Sequence, residues 1–229
     1  MKILITGADR PLGKMAARHF MEKHALRLSG LSSPADAGFS ESDYVQADLR
    51  QEEAAASLVE DVDAILHLAN FNAPECESNQ DELDALEHAA TGTYFLTREA
   101  RKAGVERIII GGSLRIFDFY PDEFLIDEMW KPHPSTNISQ LAPYLSESVA
   151  REFVREGGIC GMALRFMPIG EDSEKETRSA DAMAALEKAL AYEFQVPGYR
   201  WHVFHVASSE RFIMRNARMI LGMPRKEKA

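Results

Sequence analysis

Short apolar runs alternate with longer amphipathic stretches along most of the chain. Strand-like apolar runs occur at 3–6, 26–31, 44–47, 64–68, 108–111, 162–166 and 201–206. Between them, apolar residues recur at helical spacing at 11–24, 51–58, 80–103, 143–156 and 180–191. Because strands that alternate with helices usually form a parallel sheet covered on both faces, the pattern predicts an α/β fold.

The first predicted strand ends in a glycine-bearing turn. The sequence Thr-Gly-Ala-Asp-Arg-Pro-Leu-Gly at 6–13 separates it from the first predicted helix. Gly7 permits a tight turn, and Gly13 lets the helix pack closely on the sheet while the helix N-terminus faces a pyrophosphate. Pro11 suits the first turn of a helix. This turn is typical of the opening of a dinucleotide-binding βαβ unit.

Composition narrows the classes of function. A chain of 229 residues with 45% hydrophobic content can bury one sizeable core. The net charge of −10 without a Lys/Arg cluster argues against a nucleic-acid partner. No apolar segment is long enough for a signal-peptide core or a membrane span, so we expect a cytoplasmic protein without membrane contact. The two cysteines, Cys76 and Cys160, suit structural roles and form neither a disulfide framework nor a metal site.

Several further motifs follow the glycine turn in a fixed order. They are Ala47-Asp48-Leu49, the run Asp-Ala-Ile-Leu-His-Leu-Ala at 63–69, Gly111-Gly112-Ser113, Pro143-Tyr144-x-x-x-Ser148 and Leu164-Arg165. In this order the chain resembles the extended short-chain dehydrogenase/reductase family, which contains nucleotide-sugar epimerases and dehydratases. The resemblance implies a Rossmann-like, doubly wound parallel sheet that forms an NAD(P)-binding domain over 1–170. Residues 171–229 are then a reduced C-terminal substrate-side region of the same compact unit.

The resemblance also implies which residues hold the cofactor. The loop that contains Gly7, Pro11, Leu12 and Gly13 would face the pyrophosphate. Asp48 would contact adenine with Leu49 beside it, although Asp48 could instead cap the helix that follows. The adenosine and ribose would lie against Leu68, Ala69 and Asn70.

Two positions bear on the choice between NAD and NADP. Arg10 replaces the middle glycine of the loop, where its side chain either crowds the pyrophosphate or binds a phosphate. After the second strand, where the family carries an Asp or Glu for the ribose hydroxyl, the sequence at 29–33 is Ser-Gly-Leu-Ser-Ser. The missing carboxylate and the added arginine favour NADP over NAD.

The resemblance makes Tyr144 the catalytic acid/base, also in contact with the cofactor, and Ser113 the residue that holds the substrate oxygen. The family's lysine, which lowers the pKa of the tyrosine, is replaced by Ser148. A tyrosine with an ordinary pKa near 10 is ionised in only about one molecule in a thousand at pH 7. A cation that lowered this pKa to about 7 would contribute roughly 4 kcal/mol. Lys131, His133 or Arg151 could supply the charge instead, but nothing in the sequence directs them to the phenol.

Two functions therefore remain open. The first is an NAD(P)-dependent oxidoreductase or epimerase that acts on a sugar-like or small carbonyl substrate through Ser113 and Tyr144. The second is a non-catalytic relative that senses a dinucleotide or binds a protein. Arg10, Ser148 and Pro168 favour this second function, since the resemblance implies an asparagine amide near the nicotinamide where Pro168 stands. The helices at 80–103 and 143–156 resemble the pair through which family members form homodimers, so a homodimer is expected.

Overall fold

A computed structural model describes residues 1–71, 76–172, 175–195 and 200–224. Seven parallel strands form one sheet in the order β3-β2-β1-β4-β5-β6-β9. They are β1 (Lys2–Thr6), β2 (Ala25–Gly30), β3 (Tyr44–Gln46), β4 (Ala64–His67), β5 (Arg107–Ser113), β6 (Cys160–Phe166) and β9 (Trp201–Val206). The strand order reverses between β1 and β4, which is where doubly wound sheets open a crevice for a ligand. The predicted Rossmann-like α/β sheet is confirmed.

Helices cover both faces of this sheet. They are α1 (Pro11–Phe20), α2 (Pro34–Ala37), α3 (Glu52–Leu58), α4 (Asn79–Glu87), α5 (Thr93–Ala103), α6 (Ile138–Glu156), α7 (Ser179–Ala191) and α8 (Arg215–Met219). A wide turn of π-helix at His88–Gly92 joins α4 to α5, and a 3₁₀ turn at Leu114–Phe117 follows β5. The short strands β7 (Ile169–Gly170) and β8 (Thr177–Arg178) pair with each other outside the main sheet.

Alternate residues of a strand pack into two separate hydrophobic cores, one on each face of the sheet. Ile3 and Ile5 of β1 pack under α1 and α7, whereas Leu4 packs with residues of α3, α5 and α6 on the opposite face. The period of two in a strand produces this division, because successive side chains point to opposite faces. Residues after 170 contribute α7 to one face and the edge strand β9 to the same sheet.

One predicted helix start is wrong, and it changes the position of Tyr144. Helix α6 begins at Ile138, not at Pro143, because the Asn137 side chain caps it by accepting a hydrogen bond from the Ser139 amide at 2.9 Å. Pro143 therefore lies inside the helix, and Tyr144 lies in its second turn. The predicted single helix at 80–103 also contains the π turn, and the predicted helix at 11–24 ends at Phe20.

Candidate functional site

The glycine loop is shaped by two contacts that only glycine permits. Gly7 has a φ of +73°, and a Cβ there would lie 2.5 Å from the Cα of Ala69. A Cβ on Gly13 would lie 2.1 Å from the carbonyl oxygen of Gly7. Real Cβ atoms do not approach backbone so closely, so both positions exclude larger residues. The N-terminus of α1 is thereby brought to the ends of β1 and β4.

A cavity of about 530 Å³ opens beside this loop, at the carboxyl ends of β1, β2 and β4. The predicted cofactor residues that line it are Gly7, Arg10, Leu49, Ala69 and Asn70. Within the described residues, its lining does not include Pro11, Leu12, Gly13, Asp48, Leu68 or either predicted catalytic residue. Leu12 and Leu68 are instead buried in the core under α1. The cavity lies where the strand order reverses, which is the position at which open α/β sheets bind ligands.

Asp48 forms an ion pair with Arg50. Its carboxylate accepts hydrogen bonds from the amide of Arg50 at 2.9 Å and from the Arg50 guanidinium at 2.8 Å. Burial by itself raises the pKa of Asp48, but the hydrogen bonds from Arg50 outweigh burial and hold that pKa below its usual range. The alternative role of helix cap is wrong, since α3 has Gln51 at its N-cap.

Arg10 keeps an ordinary backbone conformation although it replaces a glycine. Its φ is −99° and its ψ 160°, and its amide donates to the Gly7 carbonyl at 3.0 Å. The side chain borders the cavity and makes no hydrogen bond or ion pair within the described part of the chain. Its charge is therefore available to a ligand.

Asp9 is a residue of the site that the sequence reasoning missed. Its Oδ2 accepts hydrogen bonds from the amides of Leu31 and Ser32, both at 3.1 Å, and from the Ser32 hydroxyl at 3.0 Å. The glycine loop thus delivers a carboxylate to the end of β2. The premise of the NADP expectation, that no carboxylate stands there, is wrong.

A buried polar network ties the cavity floor to α6. His67 shares hydrogen bonds with the Thr6 hydroxyl at 2.6 Å through Nδ1 and with the Thr93 hydroxyl at 2.9 Å through Nε2. Thr93 contacts the hydroxyl of Ser146 at 2.8 Å, and the Asn70 amide donates to Ser146 at 3.2 Å. Burial lowers the pKa of His67 to about 4, so the imidazole is neutral at physiological pH. As expected from its strand pattern, His67 is part of the sheet.

The predicted catalytic residues lie on the next elements along the sheet. Ser113 ends β5, is buried, and accepts a hydrogen bond from the Arg115 amide at 3.2 Å. Tyr144 is half-buried and packs against the apolar cluster that contains Leu114 and Phe117, directly after Ser113. The apolar cluster that contacts Tyr144 thus includes Leu114, the residue that follows Ser113 in the chain.

No cation is directed at Tyr144 within the described residues. Of the candidates, Arg151 pairs with Glu152 at 2.9 Å, and the His133 ring packs on Phe119. In the described part of the chain, the Lys131 ammonium forms no hydrogen bond or ion pair, and the Tyr144 hydroxyl has no hydrogen-bond partner.

The buried cation on this side is already neutralised. Arg165 donates from Nε to Glu147 at 2.9 Å, and both side chains are only 4% exposed. The charge of Arg165 is therefore largely cancelled by that of Glu147. The structure offers no substitute for the family's lysine among the residues it describes.

The described ranges contain neither a metal-ligand cluster nor a membrane-spanning helix. No group of three or more His, Cys, Asp or Glu is arranged to hold a metal ion there. Burial raises the pKa of the thiols of Cys76 and Cys160. None of the helices in those ranges has the length and apolar character needed to cross a bilayer.

The fold and the position of this cavity are those of a doubly wound, Rossmann-like α/β protein. Residues 3–200 match the model of the NAD dependent epimerase/dehydratase family, and the chain belongs to that family. It is similar to the uronate dehydrogenase of Pseudomonas putida, with 32% identity over 72% of this chain and 59% of the relative. The uronate dehydrogenase of Pseudomonas syringae pv. tomato is 30% identical over 68% of this chain and 55% of that one. The chain thus spans less than two thirds of the length of these relatives.

Solved structures share the fold. A variant of uronate dehydrogenase from Agrobacterium tumefaciens, complexed with NAD, superposes with a TM-score of 0.81 at 21% identity. The match covers 99% of this chain and 84% of that one. The likeness extends the Rossmann-like architecture to nearly the whole of this chain.

Proposed function

We propose that the chain is an NAD(P)-dependent oxidoreductase that acts on a hydroxyl or carbonyl group of a sugar acid. The observation that carries this proposal is the cavity at the reversal of strand order, bounded by a loop in which Gly7 and Gly13 are sterically required. The names of the Pseudomonas relatives support a sugar acid as the substrate class.

The residues around the cavity fit a dinucleotide. The close approach of Gly7 to Ala69 leaves backbone, with no side chain, facing the position of a pyrophosphate. The N-terminus of α1 and the uncommitted guanidinium of Arg10 are both favourable to its negative charge. We therefore assign Arg10 to phosphate binding rather than to blockage.

In the proposed reaction, NAD(P) supplies a hydride acceptor when bound. The Tyr144 phenol accepts the proton of the substrate hydroxyl, either directly as phenolate or in step with loss of its own proton to water. Ser113 Oγ donates a hydrogen bond to the same substrate oxygen and holds it near Tyr144. Since Ser148 brings no charge, proton transfer is slow relative to a site with a lysine.

A second candidate is a dinucleotide-binding relative without turnover. The specific observation in its favour is that no cation is directed at Tyr144 in the described residues, where Arg165 is paired with Glu147. In this case the cavity would bind the dinucleotide as a signal or as a structural ligand.

Single-turnover kinetics separates the two candidates. Protein in excess over NAD is mixed with saturating glucuronate or galacturonate, and the fluorescence of the reduced cofactor is followed over hours. A slow exponential rise supports the oxidoreductase. Saturable cofactor binding without any rise, with both sugar acids and both cofactors, would instead support the non-catalytic relative.

A further inference from the structure

We propose that Asp9, supplied by the glycine loop, makes this site select NAD over NADP. The inference rests on the proposed function, because it presumes a dinucleotide in the cavity. In other dinucleotide-binding sheets, the carboxylate that selects NAD stands at the end of β2. Here Asp9 belongs instead to the loop between β1 and α1.

The carboxylate of Asp9 is held firmly on one side and open on the other. Oδ2 accepts all three hydrogen bonds from Leu31 and Ser32, at 3.0 to 3.1 Å, which fix it at the end of β2. Oδ1 accepts no hydrogen bond from the described residues, and Asp9 borders the cavity. One oxygen is an anchor, and the other is available to a ligand.

The end of β2 is adapted to this carboxylate. A Cβ on Gly30 would lie 2.2 Å from Oδ1 of Asp9, so any larger residue would displace the carboxylate. The neighbouring Tyr44 hydroxyl donates to the Ser32 carbonyl at 3.0 Å. Burial, and then the charge of Asp9, raise the pKa of Tyr44, which keeps this phenol a neutral donor.

The position of the open oxygen determines what it can recognise. In a doubly wound sheet the adenosine ribose lies outside the end of β2, where a carboxylate accepts hydrogen bonds from the ribose hydroxyls. A 2′-phosphate would bring a second anion against Asp9 in a half-buried site, where like charges repel more strongly than in water.

The cations of the cavity do not offset this repulsion. Arg50 is already bound to Asp48, Asp84 and Glu87 at 2.8, 2.7 and 3.2 Å. Arg10 makes no ion pair with Asp9 within the described residues, and its place in the loop is beside the pyrophosphate. The charge at the end of β2 is therefore that of Asp9 itself.

The test is a comparison of dissociation constants for NAD and NADP, measured by tryptophan fluorescence and calorimetry on the whole chain. We expect the unaltered protein to prefer NAD by at least about tenfold, the effect of a single charged hydrogen bond. Asp9→Asn should reduce the ratio to about threefold or less by weakening NAD and strengthening NADP. The matched control is Asp36→Asn, which removes an exposed carboxylate that bonds Ser33 on the same connection and should leave the ratio unchanged.

A second variant displaces the carboxylate without removing its charge. Gly30→Ala should weaken NAD by about tenfold, because its Cβ pushes Asp9 away from the ribose. Thermal unfolding confirms that each variant is folded before its affinities are compared.

The outcomes separate this inference from the proposed function. A folded Asp9→Asn protein that keeps the full preference for NAD, or an unaltered protein that prefers NADP, overturns the inference while dinucleotide binding stands. An unaltered protein that binds neither NAD nor NADP at millimolar concentration overturns both.

Discussion

The two halves of this site differ in how completely they are built. On the adenosine side, two glycines are sterically required, a carboxylate is anchored by three hydrogen bonds, and an arginine is left uncommitted. On the catalytic side, Ser113 and Tyr144 are present, but the buried cation is neutralised and the lysine position carries a serine. The residues proposed for binding and those proposed for catalysis thus lie on different elements, so that variants can test the two proposals separately.

The largest effect is expected from a change on the adenosine side. Gly7→Ala should abolish dinucleotide binding, with a loss of more than about a hundredfold, because the new Cβ would collide with Ala69 backbone and displace the loop. The measurement is a titration with NAD followed by tryptophan fluorescence.

Gly38 provides a matched control for this change. Its φ of +78° resembles that of Gly7, yet a Cβ there meets nothing within 4 Å. Gly38→Ala should therefore cost about 1 kcal/mol of stability through the backbone alone and leave NAD affinity unchanged. Equal binding losses in the two variants would mean that backbone strain, not the collision, is responsible.

On the catalytic side, Tyr144→Phe should lower single-turnover rates by about a hundredfold, the lower range for loss of an acid/base group. The dissociation constant for NAD should change little, which separates the two halves. Tyr94→Phe, on the exposed face of α5, is the control and should retain the rate. Unaltered turnover in the Tyr144 variant would exclude this residue as the acid/base.

The network that joins the halves predicts a dependence of stability on pH. His67 has a pKa of about 4 when folded, below its ordinary value near 6.5, so between these values the unfolded chain binds a proton that the folded chain does not. The stabilisation is present above pH 6.5 and is lost as pH falls to about 4, by about 3 kcal/mol in total.

Denaturant unfolding at pH 7.5 and 4.5 measures this loss. His67→Gln keeps an amide that can contact Thr6 and Thr93 but cannot take up the proton, so its stability should fall less steeply between the two pH values. Parallel pH profiles for the two proteins would show that His67 is not the group responsible.

The smallest effect is expected from restoring the missing charge. Ser148→Lys should raise the turnover rate by about tenfold, and more at lower pH, because a cation one turn after Tyr144 favours the phenolate. Ser148→Met is the control, since it adds a long side chain without charge. An unchanged rate in the Ser148→Lys variant would mean that another departure from the family, such as Pro168, limits turnover.

The sequence predicted the positions of the strands, but it did not predict the start of α6 or the hydrogen-bond partners of Asp9 and Asp48. Strand positions follow from local apolar runs, and the need for glycine at Gly7 and Gly13 follows from the loop pattern, although the approach of Gly13 to the Gly7 carbonyl does not. The start of α6 was missed because Asn137 caps a helix in which Pro143 is tolerated, a competition between cap and proline that the periodicity does not resolve. The roles of Asp9 and Asp48 depend on which partner each carboxylate reaches, and those partners, Ser32 and Arg50, are not evident from the local motifs.

The most direct test of the separation between the two halves is a titration of the purified, nucleotide-free protein with NAD and NADP. Trp201, buried in the edge strand, and Trp130, on the substrate side, provide the fluorescence signal. Our account predicts saturable micromolar binding of NAD, with a matching rise in thermal stability by mass action. The absence of saturable binding at millimolar concentration would contradict it, because the adenosine half would then fail to bind a dinucleotide.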